Sequence, residues 1–111
     1  EKETKQNDTF TLWVCLSYGG RAEIATAARA AAASGEEINE ESLSRHMWTA
    51  GMPDPDIIIR TSGEKRLSGF LPWQSVYSEL FFTDTFWPAF TKEEFDSILA
   101  EFAHRERRRG K

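Results

Sequence analysis

The feature that most constrains the fold is a run of three isoleucines, residues 57–59, followed directly by Arg60. β-branched side chains favour strands, and the run lacks the alternation of apolar and polar residues that a half-exposed strand shows. Strands that are apolar on both faces are typical of parallel sheets covered by helices on both sides. The sequence therefore predicts a short buried strand from Asp56 to Arg60 within an α/β domain.

The segments around this strand give the order of an α/β fold. The predicted elements are a strand from Phe10 to Leu16, a helix after Gly19 and Gly20, a helix capped by Asn39, the strand from Asp56 to Arg60, one helical turn within residues 70–80, a strand within residues 79–84, and a helix with a capping box of Thr91 and Glu94. Three strands make a poor parallel sheet. We therefore expect residues 1–111 to be a single partial domain. They would be the carboxyl-terminal part of a larger parallel-sheet domain with helices on both faces, or their missing strands would come from another chain.

Charge and composition narrow the classes of function. Acidic residues outnumber Lys and Arg by 18 to 14, yet five of those cations lie in the last seven residues. An acidic body argues against a nucleic-acid-binding domain, which usually presents a basic face. No apolar run approaches the length of a membrane span, and the start lacks the pattern of a signal peptide. These features, with one unpaired Cys15, predict a cytoplasmic protein with at most peripheral membrane association.

The loop after the isoleucines, "RTSGEKRLSGF", is the strongest candidate site. Ligands of parallel sheets gather outside the carboxyl ends of the strands, where Arg60 lies. Arg60 and Arg66 can each offer a planar fork of donors to phosphate oxygens, and Ser68 can add a hydroxyl. This donor set suits a diphosphate. The alternative is a solvated surface loop with ion pairs to Glu64.

Glu79, in "YSELFF", is the candidate metal ligand. Mg²⁺ usually binds through one or two carboxylates together with substrate phosphates. The alternative role is an ion pair with a nearby arginine. Cys15, His46 and His104 lack the spacing of zinc ligands, so the sequence does not indicate a zinc site.

Three segments resemble the carboxyl-terminal half of the cis-prenyltransferase family, in particular its bacterial undecaprenyl diphosphate synthases (isoprenyl transferases). They are "LSYGGRAEI", "GMPDPDIIIRTSGEKRLSGFLPWQSVYSELFFTDTFWPAF" and "RERRRG", and the resemblance runs from about Thr11 to Gly110. The resemblance implies an enzyme that condenses isopentenyl diphosphate repeatedly onto an allylic diphosphate, usually farnesyl diphosphate. It also implies a requirement for Mg²⁺ and a polyprenyl diphosphate product that leads to a lipid carrier for cell-wall synthesis.

The family pattern also implies site residues. By that pattern the diphosphate of isopentenyl diphosphate is held by Arg60, Arg66 and Ser68, and by Arg108 and Gly110 of an Arg-x-Gly element that reaches across a homodimer. Glu79 helps to bind Mg²⁺, from the dimer partner's side or from its own.

The family's amino-terminal "DGNGRWA" motif, whose Asp holds Mg²⁺ and the allylic diphosphate, is not in this sequence. The resemblance therefore implies an isopentenyl diphosphate half-site that is inactive without the amino-terminal half. One alternative is a non-catalytic partner subunit of a heteromeric cis-prenyltransferase, which the intact set of substrate ligands argues against. The other is a small module that binds anions or nucleic acid, which the acidic body argues against.

Overall fold

The fold is a two-stranded parallel sheet with three α-helices, in a computed structural model that describes residues 2–105. The helices α1, α2 and α3 span Gly20–Ser34, Glu40–His46 and Lys92–His104, and the strands β1 and β2 span Ile57–Arg60 and Glu79–Phe82. Short 3-10 helices cover Lys2–Thr4 and Trp87–Ala89. The register sets Ile57 opposite Glu79 and Arg60 opposite Phe82. The predicted α/β class is confirmed.

The strand predictions had different outcomes. The two later strands are confirmed, although only Ile58 of β1 is buried, so burial on both faces is not reached. The predicted strand from Phe10 to Leu16 is wrong in this structure, because those residues make no sheet pairing, and Phe10 and Leu16 are 78% and 83% exposed. A strand needs a neighbour for its backbone N–H and C=O groups, and no described segment pairs with residues 10–16.

The helix ends follow the capping residues. The Asn39 side chain accepts a hydrogen bond from the Ser42 N–H at 2.9 Å, and the Ser42 hydroxyl accepts one from the Asn39 N–H at 3.0 Å, so α2 has a full capping box. At α3 the Thr91 hydroxyl accepts from the Glu94 N–H, but the Glu94 carboxylate accepts from the Thr85 hydroxyl at 3.0 Å instead of returning to Thr91. The predicted box is therefore half formed. No helix among the described residues is long and apolar enough to cross a membrane.

The start of α1 packs closely on the loop that follows β1. The Gly20 N–H donates to the Gly69 carbonyl oxygen at 2.9 Å, and Gly20 is buried. A Cβ atom on Gly20 would collide with the Pro72 ring and lie 2.7 Å from the Gly69 oxygen. Only glycine fits at this close approach.

A buried carboxylate joins three parts of the chain. Glu23 of α1 is completely buried and accepts hydrogen bonds from the Tyr18 hydroxyl, from the Thr49 N–H at 3.0 Å and hydroxyl at 2.7 Å, and from the Gln74 amide at 3.1 Å. Burial raises the pKa of Glu23, but these hydrogen bonds outweigh it and bring the pKa below its usual value. Burial, and then the bond to Glu23, raise the pKa of the Tyr18 hydroxyl.

We expect Gly20→Ala to lower the free energy of unfolding by about 1–3 kcal/mol, because the added methyl group forces α1 away from the loop. Urea unfolding of the purified chain measures this change. Gly19→Ala is the matched control, since nothing lies within 4 Å of the position of its Cβ atom. Equal effects of the two substitutions would contradict the close packing at Gly20.

Glu23 should make stability depend on pH. The pKa of Glu23 in the folded protein lies below its usual value, so the unfolded chain takes up a proton first on acidification. The ionised Glu23 side chain therefore contributes to the free energy of unfolding above the pKa that Glu23 has in the unfolded chain. This contribution is lost as pH falls through the pKa that Glu23 has in the folded protein. We expect Glu23→Gln to flatten the fall of the unfolding free energy that begins as pH drops through about 4.3, the ordinary pKa of a free glutamate.

The matched control for Glu23→Gln is Glu93→Gln in the exposed first turn of α3. The control should leave the slope with pH unchanged. An unchanged slope in Glu23→Gln would show that the buried carboxylate does not contribute in this way.

Candidate functional site

Arg60 lies at the carboxyl end of β1 and is joined to the loop that follows. Its Nη1 donates to the Ser68 hydroxyl oxygen at 2.9 Å and to the backbone oxygen of Arg66. The structure therefore brings together two of the predicted anion ligands, Arg60 and Ser68. Both have further capacity to bind an anion, because a guanidinium carries five N–H donors and the serine hydroxyl can reorient.

Arg60 and Ser68 line a cleft of about 320 Å³. The other lining residues are Ile58, Ile59, Leu67 and Phe70. A cation and a hydroxyl beside apolar walls suit a ligand with an anionic head and an apolar tail, because each part of the ligand then meets a matching surface.

The loop that holds Ser68 has an unusual backbone. Ser62, Ser68 and Leu71 have φ angles of 74°, 50° and 48°, in the left-handed region that residues with a side chain rarely adopt. Hydrogen bonds of 2.9 Å from the Ser62 N–H to the Thr85 oxygen and from the Gly63 N–H to the Thr83 oxygen hold the first part of the loop. Strained conformations of this kind are often found at binding sites, where surrounding contacts maintain them.

The Arg66 side chain does not line the cleft beside Arg60 and Ser68. Its guanidinium forms an ion pair with the Glu64 carboxylate, and the two side chains are 64% and 46% exposed. For Arg66 the alternative of a surface ion pair therefore describes the structure. Exposed pairs of this kind contribute only about 0–1 kcal/mol, so an anion with several charges can compete with Glu64 for the guanidinium.

Glu79 lies at the amino end of β2, away from Arg60. The register places it opposite Ile57, three residues from the pair of Arg60 and Phe82, which is about 10 Å along a strand. Its Oε2 accepts a hydrogen bond from Arg105 Nη1 at 2.9 Å. The predicted alternative, an ion pair with an arginine, is therefore present, and it joins β2 to the end of α3.

Arg105 is held from several sides. Its guanidinium donates to Glu101 at 2.6 Å and lies 4.0 Å from the centre of the Phe81 ring. The hydrogen bond to Glu79, followed by the one to Glu101, raises the pKa of Arg105. α3 ends at His104, and Arg105 has an extended backbone with a ψ of 133°. The Arg105 side chain lies against β2.

The predicted site also includes residues beyond the described part of the chain, since Arg108 and Gly110 lie outside residues 2–105. Within residues 2–105 no group of three or more His, Cys, Asp or Glu side chains could hold a metal ion. A single carboxylate such as Glu79 still fits Mg²⁺, because this ion completes its shell with water and with phosphate oxygens of the substrate.

Two features of the site region were not predicted. Arg105 belongs to the basic last seven residues, and no sequence pattern pairs it with Glu79. The buried cluster around Glu23 had a signal, because Glu23, Ala27 and Ala31 follow one another at four-residue steps and so share one face of α1. A carboxylate on a helix face otherwise made of alanine indicates a buried polar contact.

Comparison with known proteins gives one consistent family. A prenyltransferase family model, described as undecaprenyl diphosphate synthase, matches residues 1–110. Isoprenyl transferase 1 of Corynebacterium diphtheriae is 48% identical over the whole of this chain, which covers 46% of that protein. The chain therefore spans about half the length of the curated relatives it matches.

Solved structures agree with the sequence matches. A crystal structure described as a probable undecaprenyl diphosphate synthase from Campylobacter jejuni has a TM-score of 0.79 and 43% identity, over 86% of this chain and 45% of that one. Lavandulyl diphosphate synthase from Lavandula x intermedia, in complex with dimethylallyl diphosphate, has a TM-score of 0.78 and 34% identity, over 86% of this chain and 44% of the other.

Proposed function

The chain belongs to the undecaprenyl diphosphate synthase family of prenyltransferases, and we propose that it carries the isopentenyl diphosphate half-site of a cis-prenyltransferase. The complete enzyme would condense isopentenyl diphosphate repeatedly onto an allylic diphosphate such as farnesyl diphosphate. The product would be a long-chain polyprenyl diphosphate, the precursor of a lipid carrier for cell-wall synthesis in the cytoplasm.

The observation that carries this proposal is the position of Arg60. The guanidinium stands at the carboxyl end of a parallel strand, 2.9 Å from the Ser68 hydroxyl and beside a largely apolar cleft. Isopentenyl diphosphate has a doubly phosphorylated head and a five-carbon apolar tail. Arg60 and Ser68 would bind the head while the side chains of Ile59, Leu67 and Phe70 contact the tail.

The structural relative from Lavandula supports the ligand class, because it was solved with dimethylallyl diphosphate, a diphosphate of the same size. The relatives described as undecaprenyl and lavandulyl diphosphate synthases name different products, yet each matches 86% of this chain. We infer that the shared residues serve diphosphate binding. Product length would then depend on residues outside the shared part.

The chemical role of these residues is to position the substrate. Arg60 and Ser68 would bind the head group and so fix the position of the isopentenyl double bond, which attacks the allylic carbon. Holding the two reacting groups in this geometry makes their reaction more frequent than a chance encounter in solution. Arg66 would leave the weak pair with Glu64 and add a second cation to the head group. Bound Mg²⁺ would supply further charge neutralisation of the diphosphates, with Glu79 as its ligand in these residues.

Glu79 could bind Mg²⁺ at the site of its own chain or at the site of a dimer partner, and its location supports the second. A carboxylate about 10 Å along the sheet from Arg60 is poorly placed to share a metal with the diphosphate on Arg60 of the same chain. Action at the site of a dimer partner avoids this separation. We therefore propose a homodimer in which Glu79, Arg108 and Gly110 serve the partner's substrate.

The two other candidate functions have less support. A non-catalytic subunit has no need for a cation and a hydroxyl placed together in a cleft, as Arg60 and Ser68 are. A nucleic-acid-binding module would need a basic face, whereas the sequence has a formal net charge of −4.

Replacing Arg60 tests the proposed function most directly. We expect Arg60→Gln to weaken binding of isopentenyl diphosphate by about 10-fold to 100-fold, because a charge-assisted hydrogen bond contributes about 1.5–3 kcal/mol. Isothermal titration calorimetry on the folded chain measures the change. The control is Arg29→Gln on α1, where the arginine bonds to Thr26. Equal affinities in Arg60→Gln and in the unchanged protein would remove Arg60 from the site.

Glu64 should act as a weak competitor for Arg66. We expect Glu64→Gln to tighten binding of isopentenyl diphosphate by about 2-fold to 5-fold. In this variant Arg66 no longer has to break a surface ion pair, which contributes about 0–1 kcal/mol, before it binds the ligand. Glu41→Gln is the matched control, since it removes an exposed carboxylate that pairs with Arg45 at 3.6 Å on α2. A gain of the same size in both variants would indicate a general effect of charge and not release of Arg66.

A further inference from the structure

Tyr18 lies between a buried carboxylate and the wall of the cleft beside Arg60. Its hydroxyl donates a hydrogen bond to Oε2 of Glu23. Its ring contacts the ring of Phe70 edge to face, with 6.0 Å between the ring centres and 77° between the ring planes. Phe70 is one of the residues that line the cleft. Tyr18 is therefore joined at one end to the interior and at the other end to the cleft wall.

Glu23 gives the Tyr18 hydroxyl a fixed partner. The Glu23 carboxylate is completely buried and also accepts hydrogen bonds from the Thr49 N–H at 3.0 Å, the Thr49 hydroxyl at 2.7 Å and the Gln74 amide at 3.1 Å. Thr49 and Gln74 are themselves buried. Hydrogen bonds of this kind between buried groups restrict the side chains that they join, so the Tyr18 hydroxyl is held in one place.

The ring contacts of Tyr18 orient the rings as well as holding them together. The edge of an aromatic ring is positive and its face is negative, so rings that meet at a steep angle attract each other in a preferred orientation. Tyr18 makes a second contact of this kind with Trp48, at 6.3 Å and 81°. The Tyr18 ring is therefore held by Trp48 and by its own hydroxyl, and it can in turn hold the ring of Phe70.

The Phe70 ring needs such support. Its side chain is 43% exposed, and Tyr18 makes the one ring contact of Phe70 among residues 2–105. Exposed side chains exchange between rotamers within nanoseconds unless neighbours restrict them. The orientation of Phe70 in the cleft wall therefore depends on Tyr18.

The backbone beside both rings is unusual. Ser17, directly before Tyr18, has a φ of 53°, and Leu71, directly after Phe70, has a φ of 48°. Residues with a side chain rarely adopt these left-handed angles, and they persist only where surrounding contacts maintain them. Such angles are often found at functional sites, so their presence beside both rings supports a functional role for the contact.

The start of α1 holds the backbone of the same loop. The Gly20 N–H donates a hydrogen bond to the carbonyl oxygen of Gly69 at 2.9 Å. Gly69 directly precedes Phe70, and Gly20 comes two residues after Tyr18. One short segment of the chain therefore holds both the backbone before Phe70 and the Phe70 ring.

We propose that Tyr18 is a positioning residue that sets the preference of the site for a ligand with an apolar tail. Tyr18, held by Glu23, keeps the Phe70 ring against the cleft, where the ring contacts the tail of the bound diphosphate. This inference rests on the proposed function, in which the head group lies at Arg60 and Ser68. Tyr18 is not among the residues that line the cleft, so it acts through Phe70.

Two ligands with the same head group separate this role from a general loss of structure. Isopentenyl diphosphate has a five-carbon tail and methyl diphosphate has a single carbon, so the ratio of their affinities measures the contribution of the tail. We expect Tyr18→Leu to lower this ratio by about 3-fold to 10-fold, the size of one aromatic contact. Isothermal titration calorimetry measures both affinities. Partial unfolding would weaken both ligands alike and would leave the ratio unchanged.

Tyr77→Leu is the matched control. Tyr77 is 60% exposed and does not line the cleft, so this substitution should leave the ratio unchanged. Tyr18→Phe is a milder variant that keeps the ring and loses the hydrogen bond to Glu23, and we expect it to lower the ratio by about 2-fold. It keeps the test in force if Tyr18→Leu does not fold. An unchanged ratio in the folded Tyr18 variants would overturn the proposal.

A double-mutant cycle tests whether Tyr18 acts through Phe70. Phe70→Leu should itself lower the ratio, because it removes the ring from the cleft wall. In a chain that already carries Phe70→Leu, adding Tyr18→Leu should change the ratio by less than about 2-fold, since residues that act through each other are not additive. Effects of the two substitutions that multiply in full would show that Tyr18 acts by another route and would overturn the proposal.

The same measurements keep this inference distinct from the proposed function. In the unchanged chain, tighter binding of isopentenyl diphosphate than of methyl diphosphate supports binding of the tail in the cleft. Equal affinities there would reject the proposed ligand and the role of Tyr18 together. A preference for isopentenyl diphosphate that neither Tyr18 substitution reduces would overturn the role of Tyr18 and leave the proposed function in place.

Discussion

The hydrogen bond between Arg60 and Ser68 is the interaction on which the candidate site depends. It joins the loop of residues 61–68 to the end of β1. The carbonyl oxygen of the next residue, Gly69, accepts a hydrogen bond from the N–H of Gly20, the first residue of α1. One loop is thereby joined to a strand and to a helix. The loop needs this support, because Ser62 and Ser68 have left-handed backbone angles that an unsupported chain would seldom adopt.

The parts of the fold that local chemistry determines were predictable from the sequence. The caps at Asn39 and Thr91 correctly predicted the starts of α2 and α3, and the apolar run of residues 57–59 correctly predicted β1. The strand at Phe10 to Leu16 was not predictable in this way, since a strand depends on a neighbour that the described residues do not supply. Arg66 was predicted as a ligand, and it pairs with Glu64, which is the alternative that the composition of the loop also allowed.

The candidate groups of the site are divided between the two ends of the sheet. Arg60 and Ser68 form one wall, and the ion pair of Glu79 with Arg105 stands at the far end of the sheet. The relatives are about twice as long as this chain, and this chain alone supplies one wall of the proposed site.

The central claim is that the pair of Arg60 and Ser68 binds a diphosphate head group. The most direct measurement is a crystal structure of the chain grown with isopentenyl diphosphate. We predict phosphate oxygens within hydrogen-bond distance of the Arg60 guanidinium and the Ser68 hydroxyl, with the Arg66 side chain turned away from Glu64. A diphosphate bound elsewhere, with the Arg60–Ser68 bond and the Arg66–Glu64 pair both unchanged, would contradict the claim.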